Sequence, residues 1–187
     1  YLSVTGDNLQ RVAYNLYRNH PDIFERILKR LRRGVPGVET VTPRRTEDGR
    51  LLLQFGDATF RDPFSDRYVS DGTLKMFAYL VLLYEPRHHA LLCIEEPENQ
   101  LYRSLLWELG EDFRAYAERG GQVLITTHSP DLLNAMALDE VFWLTRRNGY
   151  TEVHRARDDQ QLRAYMAEGD QLGYLWREGL FAGADPK

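Results

Sequence analysis

The residues best suited to chemistry are two adjacent carboxylates, Glu95 and Glu96, at the end of a short apolar run that begins at Leu91 and is followed by Pro97. A short apolar run bounded by a breaker predicts a buried parallel strand covered on both faces. Because ligands of open α/β sheets bind at the carboxyl ends of strands, one acid could hold a hydrated cation while the other polarises a water. The alternative is an acidic start to the next helix, which the helix dipole favours.

Two further segments flank this strand. Ser70-Asp71-Gly72-Thr73 opens an apolar helix, where a hydroxyl and free amide groups could bind a phosphate, although ordinary helix capping explains the same residues. Downstream, His128 follows a second short strand that ends at Thr126. Parallel neighbours end at one rim of a sheet, so we expect His128 near Glu95 and Glu96, unless it is a loop histidine without a role. Together these parts could hold a polyphosphate, its magnesium ion and an attacking water.

Hydrophobic periodicity predicts the elements that position these residues. Helices are predicted over 7–19, 23–33, 72–84, 103–119 and 131–136, with a helical tail over 160–181. Strands are predicted over 38–41, 51–55, 91–96, 122–126, 141–145 and 151–155, and 56–70 is predicted to be a loop. Strand, helix and strand over 90–126 predict a parallel crossover, and therefore an α/β fold.

Composition narrows the function classes. The 187 residues suffice for one good core, and the net charge of −4 argues against attraction of the whole chain to nucleic acid. The clusters Lys29-Arg30-Leu31-Arg32-Arg33 and Pro43-Arg44-Arg45 leave a local DNA contact open, although the first also suits the last turn of a helix. The single cysteine, Cys93, is expected in the core, which fits a reducing, cytoplasmic location. The sequence has neither a membrane-length apolar stretch nor a signal peptide, so no membrane partner is expected.

The combination of segments resembles the C-terminal half of the RecF/SMC-like, ABC-type ATPases, within the AAA-family ATPases related to OLD-family proteins. The matching segments are Ser70-Asp71-Gly72-Thr73-Leu74 for the ABC signature, Leu91 to Glu96 for the Walker B strand, Pro97-Glu98-Asn99-Gln100-Leu101 for the D-loop and Thr127-His128-Ser129-Pro130 for the switch-histidine loop. Gly6-Asp7-Asn8-Leu9 and Gly173-Tyr174-Leu175-Trp176 are similar to the opening and the ending of this half. The resemblance covers almost the whole chain.

This resemblance implies a parallel-sheet P-loop NTPase fold, namely the C-terminal lobe of an ABC-type head with flanking helices and a small added β-hairpin. It implies ATP and Mg²⁺ as cofactors, with Glu95 as the metal ligand in place of the usual aspartate. Glu96 would be the catalytic glutamate, and His128 would contact the γ-phosphate and the attacking water. Ser70, Asp71, Gly72 and Thr73 would bind ATP held on a partner subunit, so that ATP joins two heads into a homodimer and hydrolysis releases them.

The sequence departs from the family in lacking a G-x-x-x-x-G-K-[S/T] phosphate loop; Lys29, Lys75 and Lys187 lie in no such context. In the family this loop belongs to an N-terminal Walker A lobe, which we expect to be missing here, and the start at Tyr1 agrees with a truncated chain. The fragment alone is therefore expected to be inactive. The expected division is a helical pair with a β-hairpin over 1–60, the ATPase lobe over 61–157 and a helical tail over 158–187.

Two functions of other classes remain open. A metal-dependent nuclease or phosphoesterase could use Glu95, Glu96, Glu98 and His128, although such enzymes usually take their carboxylates from several elements. In a non-catalytic binding module, the acids would merely cap a helix. A serine hydrolase is disfavoured because the G-x-S-x-G elbow is absent.

Overall fold

Two amphipathic helices open the chain in the computed structural model, which describes residues 1–184. Helix α1 (Leu9–Asn19) and helix α2 (Pro21–Gly34) each bury one apolar face, and Pro21 occupies the first turn of α2, where no backbone donor is lost. Asn8 precedes α1, but its side chain accepts a hydrogen bond from Ser3 N instead of capping the helix. Both predicted helices are confirmed.

An antiparallel sheet follows the helical pair. Strand β1 (Val38–Arg45) pairs with β2 (Leu51–Asp57), and both run longer than the sequence predicted. The predicted loop over 56–70 contains a two-residue strand, β3 (Phe64–Ser65), and a 3-10 turn (Asp66–Tyr68). Such a short strand has no periodicity of its own, so its pairing with β2 could not be predicted from the sequence pattern.

A parallel crossover carries the acidic strand. Helix α3 (Asp71–Tyr84) leads to β4 (Leu92–Glu95), and helix α4 (Arg103–Glu118) then connects β4 to β5 (Val123–Thr126). The two strands pair in parallel, as predicted, with Leu92 opposite Val123. The main core lies between α1–α4 and the inner faces of β1, β2 and β4; its largest fully buried side chains include those of Tyr116, Phe77, Ile27, Leu31 and Leu80.

A buried ion pair joins α2 to α4. Arg30 Nε lies 2.9 Å from Asp112 Oδ2, and Arg30 Nη1 lies 2.6 Å from Glu108 Oε2. Burial raises the pKa of the Asp112 carboxyl above its usual range, and the charge of Arg30 offsets only part of this rise. Arg32 pairs with Glu25 at the surface. Two arginines of the first basic cluster are thus engaged within the fold.

The chain ends in a hairpin and short helices around a second core. Helix α5 (Pro130–Leu133) precedes β6 (Phe142–Arg147) and β7 (Tyr150–Arg155), joined through Asn148 and Gly149, both at positive φ. The tail forms α6 (Gln160–Glu168) and α7 (Leu172–Arg177) instead of one helix, because Gly169 ends α6 in the left-handed conformation. Leu133, Trp143, Leu162, Leu172, Leu175 and Phe181 belong to this core.

The prediction that β4 is covered on both faces is wrong. Leu92 is buried and Ile94 packs against the main core, but Cys93 is exposed and Leu124 on β5 is 61% exposed. The described residues form only a two-stranded sheet here, with the core on one side of it. Cys93 is therefore not a core residue, and we refer to the side bearing Cys93 and Leu124 as the open face.

None of the helices within residues 1–184 is both long and apolar enough to cross a membrane. The expected three-part division of the chain stays a prediction.

Candidate nucleotide site

The parallel register brings the acidic end of β4 and the loop over 127–130, which we call the histidine loop, to one rim of the sheet. Glu95 on β4 lies opposite Thr126 on β5, and Glu96 N donates to Thr126 O at 2.8 Å. His128 follows two residues beyond Thr126, and the side chains of both Glu95 and His128 are exposed. The common rim expected from the sequence is present in the structure.

Glu96 lies at the turn from strand to loop and has an unusual backbone. Its φ is 41°, a left-handed conformation that costs a non-glycine residue about 1 kcal/mol or more. Asn99 stabilises it by donating Nδ2 to Glu96 Oε2 at 2.7 Å and N to Glu96 O at 3.1 Å. We call the loop over 97–101 the D-loop segment, a label taken only from its sequence resemblance; through Asn99 it holds the carboxylate of Glu96.

The start of α3 is pressed against this D-loop segment. Ser70 caps the helix, because Ser70 Oγ accepts from Thr73 N at 3.2 Å and contacts Thr73 Oγ1 at 2.9 Å. Gly72 is buried, and a Cβ built at this position would lie 2.4 Å from Gln100 O. Asp71 is exposed. The capping interpretation of the hydroxyl of Ser70 therefore holds, and the close packing explains the glycine.

Lys75 makes the second link between α3 and the D-loop segment, and sequence reasoning missed it. Its Nζ donates to Asn99 O at 2.8 Å. Burial lowers the pKa of the Lys75 ammonium, while the negative charges of Glu98 and Glu96 offset part of this effect. Burial together with the charge of Glu98 raises the pKa of Tyr79 to about 12. One face of α3 thus borders a concentration of negative charge.

The histidine loop is anchored on both sides of His128. Thr127 Oγ1 donates to Glu98 Oε1 and accepts from Ser129 N at 2.9 Å. Ser129 Oγ accepts from Leu132 N at 3.3 Å and so caps α5. Sequence reasoning placed Thr127 in the histidine loop but assigned it no anchoring role, and nothing in the sequence pattern identified Glu98 as its partner.

The carboxylates suit a magnesium ion bound mainly by a nucleotide. Among residues 1–184, no three His, Cys, Asp or Glu side chains come together as a group that could hold a metal ion. The nuclease alternative, with Glu95, Glu96, Glu98 and His128 as a metal-binding cluster, therefore loses support. Mg²⁺ in ATPase sites typically takes one or two carboxylates, with phosphates and water as its other ligands. The exposed carboxylate of Glu95 fits that donor set.

The parallel crossover, together with the matches reported below, supports a fold related to that of RecF/SMC-like, ABC-type ATPases and consistent with a P-loop NTPase. Residues 6–134 match the family described as "AAA domain, putative AbiEii toxin, Type IV TA system", and the chain belongs to that family. No curated protein matches the sequence. Family and fold together indicate an ATPase-like, nucleotide-binding domain.

The solved structures that share this fold include the following three. One comes from a study of ATP-driven dimerization and DNA stimulated activation of SMC ATPases; it is 13% identical, with a TM-score of 0.55, and the match covers 85% of this chain and 99% of that one. A SmcHead bound to the C-winged helix domain of ScpA is 12% identical, with a TM-score of 0.56 and coverage of 81% and 46%. A Smc head domain from Pyrococcus furiosus, bound to the C-terminal domain of ScpA, is 11% identical, with a TM-score of 0.58 and coverage of 87% and 42%. The chain thus spans less than half of the two Smc head chains.

Proposed function

We propose that this chain is the C-terminal lobe of an ATP-hydrolysing head, with its hydrolytic groups at the rim shared by β4 and β5. The observation that carries this proposal is the parallel register of Glu95 with Thr126, together with the Glu96–Thr126 backbone hydrogen bond. This register brings two carboxylates and a histidine to the sheet edge where α/β proteins bind ligands. Membership of an AAA-domain family supports the same function.

Each residue of the rim has a distinct role in this proposal. Glu96, held by Asn99, accepts a proton from the attacking water, and His128 orients that water against the terminal phosphate. Glu95 would hold a magnesium ion, which when bound neutralises phosphate charge. The exposed carboxylate of Glu95 and the exposed ring of His128 are accessible to a nucleotide at this rim.

The phosphate loop would come from a lobe outside these residues. The sequence has no such loop, although the phosphates need its backbone donors and lysine. The open face supports this proposal, because Cys93 and Leu124 leave apolar surface exposed beside the candidate site. The outer side of the β6–β7 hairpin also exposes apolar side chains, with Leu144 61% and Val153 65% exposed. A second lobe packed against the open face would bury Cys93 and Leu124 and complete the nucleotide site.

We further propose that ATP joins two such heads. The ATP-driven dimerization described for SMC ATPases offers the precedent. The start of α3, with Ser70, Asp71, Gly72 and Thr73, would then face ATP held by the partner subunit, where free amides at a helix start favour phosphate. In this arrangement ATP binding shifts the equilibrium toward the dimer, and hydrolysis reverses it.

The test is Glu96→Gln in the protein encoded by the complete reading frame. The amide keeps the shape of the side chain but cannot accept a proton, so we expect ATP turnover to fall by about 100-fold or more. Equilibrium binding should show that ATP affinity is retained, and light scattering should show a dimer that persists with ATP. Glu168→Gln, an exposed substitution on α6, is the matched control and should leave turnover unchanged.

Unchanged turnover in Glu96→Gln would remove the ATPase assignment. Magnesium-dependent cleavage of DNA in the absence of ATP would instead favour a nuclease.

A further inference from the structure

The carboxylate of Glu98 lies directly behind the histidine loop. It is two residues beyond Glu96 in the D-loop segment, and its Oε1 accepts a hydrogen bond from Thr127 Oγ1. The contact joins the segment after β4 to the segment after β5, across 29 residues of sequence. It is a side-chain contact independent of the backbone pairing of the two strands, which ends at the hydrogen bond of Glu96 N with Thr126 O.

The hydroxyl of Thr127 makes two hydrogen bonds with opposite roles. An ionised carboxylate only accepts, so the Thr127 proton must point toward Glu98. The lone pairs of the same oxygen are then free to accept from Ser129 N, which lies 2.9 Å away. His128 lies between these two residues. The charge on Glu98 thus fixes the direction of a hydrogen-bond chain that holds the backbone on both sides of the histidine.

A simple stabilising role explains Glu98 poorly. Its second oxygen, Oε2, is buried and has no hydrogen-bond partner among the described residues. Leaving a charged oxygen buried and unpartnered opposes folding. Lys75 and Tyr79 border Glu98 from α3, but neither makes a hydrogen bond with it. The role of Glu98 therefore lies in the group that it holds in place rather than in stability.

We propose that Glu98 is a positioning residue that aligns His128 through the hydroxyl of Thr127. The inference rests on the proposed ATPase function, because the aligned histidine serves the hydrolytic step. In this role Glu98 touches neither nucleotide nor water. It sets the conformation of the histidine loop relative to Glu96, so that both side chains act on one phosphate.

The first experiment separates the hydroxyl from the volume of the side chain. Thr127→Val removes both hydrogen bonds at nearly constant shape, and Thr127→Ser keeps the hydroxyl as the matched control. In the complete protein we expect Thr127→Val to lower kcat by about 10- to 100-fold, since misplacement of a reacting group by about 1 Å has effects of this size. KM for ATP should change by less than about threefold, because binding groups are untouched. Thr127→Ser should retain most of the activity.

A double-mutant cycle guards against an indirect effect. If Glu98 acts through Thr127, then Glu98→Ala combined with Thr127→Val should lose no more kcat than the more damaging single variant. Additive losses would overturn the proposal, as would wild-type kcat in Thr127→Val or equal loss in Thr127→Val and Thr127→Ser. A thermal melt of each variant identifies any that has unfolded. If Thr127→Val is unfolded, Thr127→Ala replaces it in the cycle with Glu98→Ala.

An NMR readout distinguishes this proposal from the ATPase assignment. In the complete protein, the imidazole signals of His128 can be assigned by their loss in His128→Gln; the 187 residues of this chain contribute only five histidines. Thr127→Val should shift and broaden these signals, whereas Thr127→Ser should not. If wild-type protein does not hydrolyse ATP, the proposed function fails, and the His128 signals still decide whether Glu98 and Thr127 position the histidine. Unchanged signals in both Thr127→Val and Glu98→Ala would refute the positioning role.

Discussion

Gly72→Ala tests whether the start of α3 is held against the D-loop segment. Helix propensity alone predicts that this change stabilises the protein by about 0.5–1 kcal/mol. The structure predicts the opposite, because the new Cβ would lie 2.4 Å from the backbone carbonyl oxygen of Gln100. An optimal contact needs roughly 3.5 Å, so α3 and the D-loop segment must separate by about 1 Å.

The cost of this separation exceeds the gain in helix propensity. Overpacking against a fixed neighbour costs about 1–3 kcal/mol, and a backbone carbonyl, which cannot rotate away as a side chain can, favours the upper end of that range. The net loss of free energy of unfolding is then about 2 kcal/mol. For a chain of this length, this corresponds to a fall in Tm of about 4–8 °C.

The assay is a thermal melt of Gly72→Ala beside Gly110→Ala. Gly110 also lies in a helix, α4, but its added Cβ would lie 2.8 Å from the end of the Met136 side chain, which can move, and 3.2 Å from Ala135 Cβ, which needs a shift of only a few tenths of an ångström. Gly110→Ala should therefore lower Tm by clearly less than Gly72→Ala does. A Tm for Gly72→Ala equal to or above that of the wild type would refute the reasoning, since the close approach would then have no energetic consequence.

Two further changes test the buried ion pair and the open face. Arg30→Met leaves the buried carboxylate of Asp112 without its cation and should lower the free energy of unfolding by about 3 kcal/mol. Arg32→Met, at the exposed pair with Glu25, should lower it by less than about 1 kcal/mol. Urea denaturation measures both losses, and equal losses would contradict this prediction. A maleimide should label Cys93 readily in the 187-residue chain and at least about tenfold more slowly once the phosphate-loop lobe is present, because the thiol then reacts only on opening. Equal labelling rates would argue against coverage of this face.

The sequence predicted those parts of the fold that depend on local pattern. Helices α1 and α2 and the parallel pairing of β4 with β5 follow from apolar spacing and breaker residues, which act over a few positions. Coverage of β4 did not follow, since an apolar run does not reveal whether its cover belongs to the same chain. Cys93 was therefore wrongly assigned to the core. The break at Gly169 was missed because apolar residues continue beyond it.

The candidate site was likewise predictable from the sequence only in part. Glu95, Glu96 and His128 could be placed at one rim because the ends of parallel strands coincide. Their catalytic roles remain proposals. The bonds of Lys75 to Asn99 and of Thr127 to Glu98 span 24 and 29 residues and depend on the directions of individual side chains. No spacing rule within the sequence specifies such contacts.

Strands β4 and β5 each have one edge without a strand partner in the part of the chain that the structure describes. Unpaired backbone amides and carbonyls on an edge strand can form hydrogen bonds with an extended segment of another molecule, including a second copy of this chain. Purified alone, the chain should therefore precipitate or form mixed aggregates at high concentration. If the proposed phosphate-loop lobe supplies the missing strand partners, co-expression with that lobe should raise the yield of material fit for crystallisation.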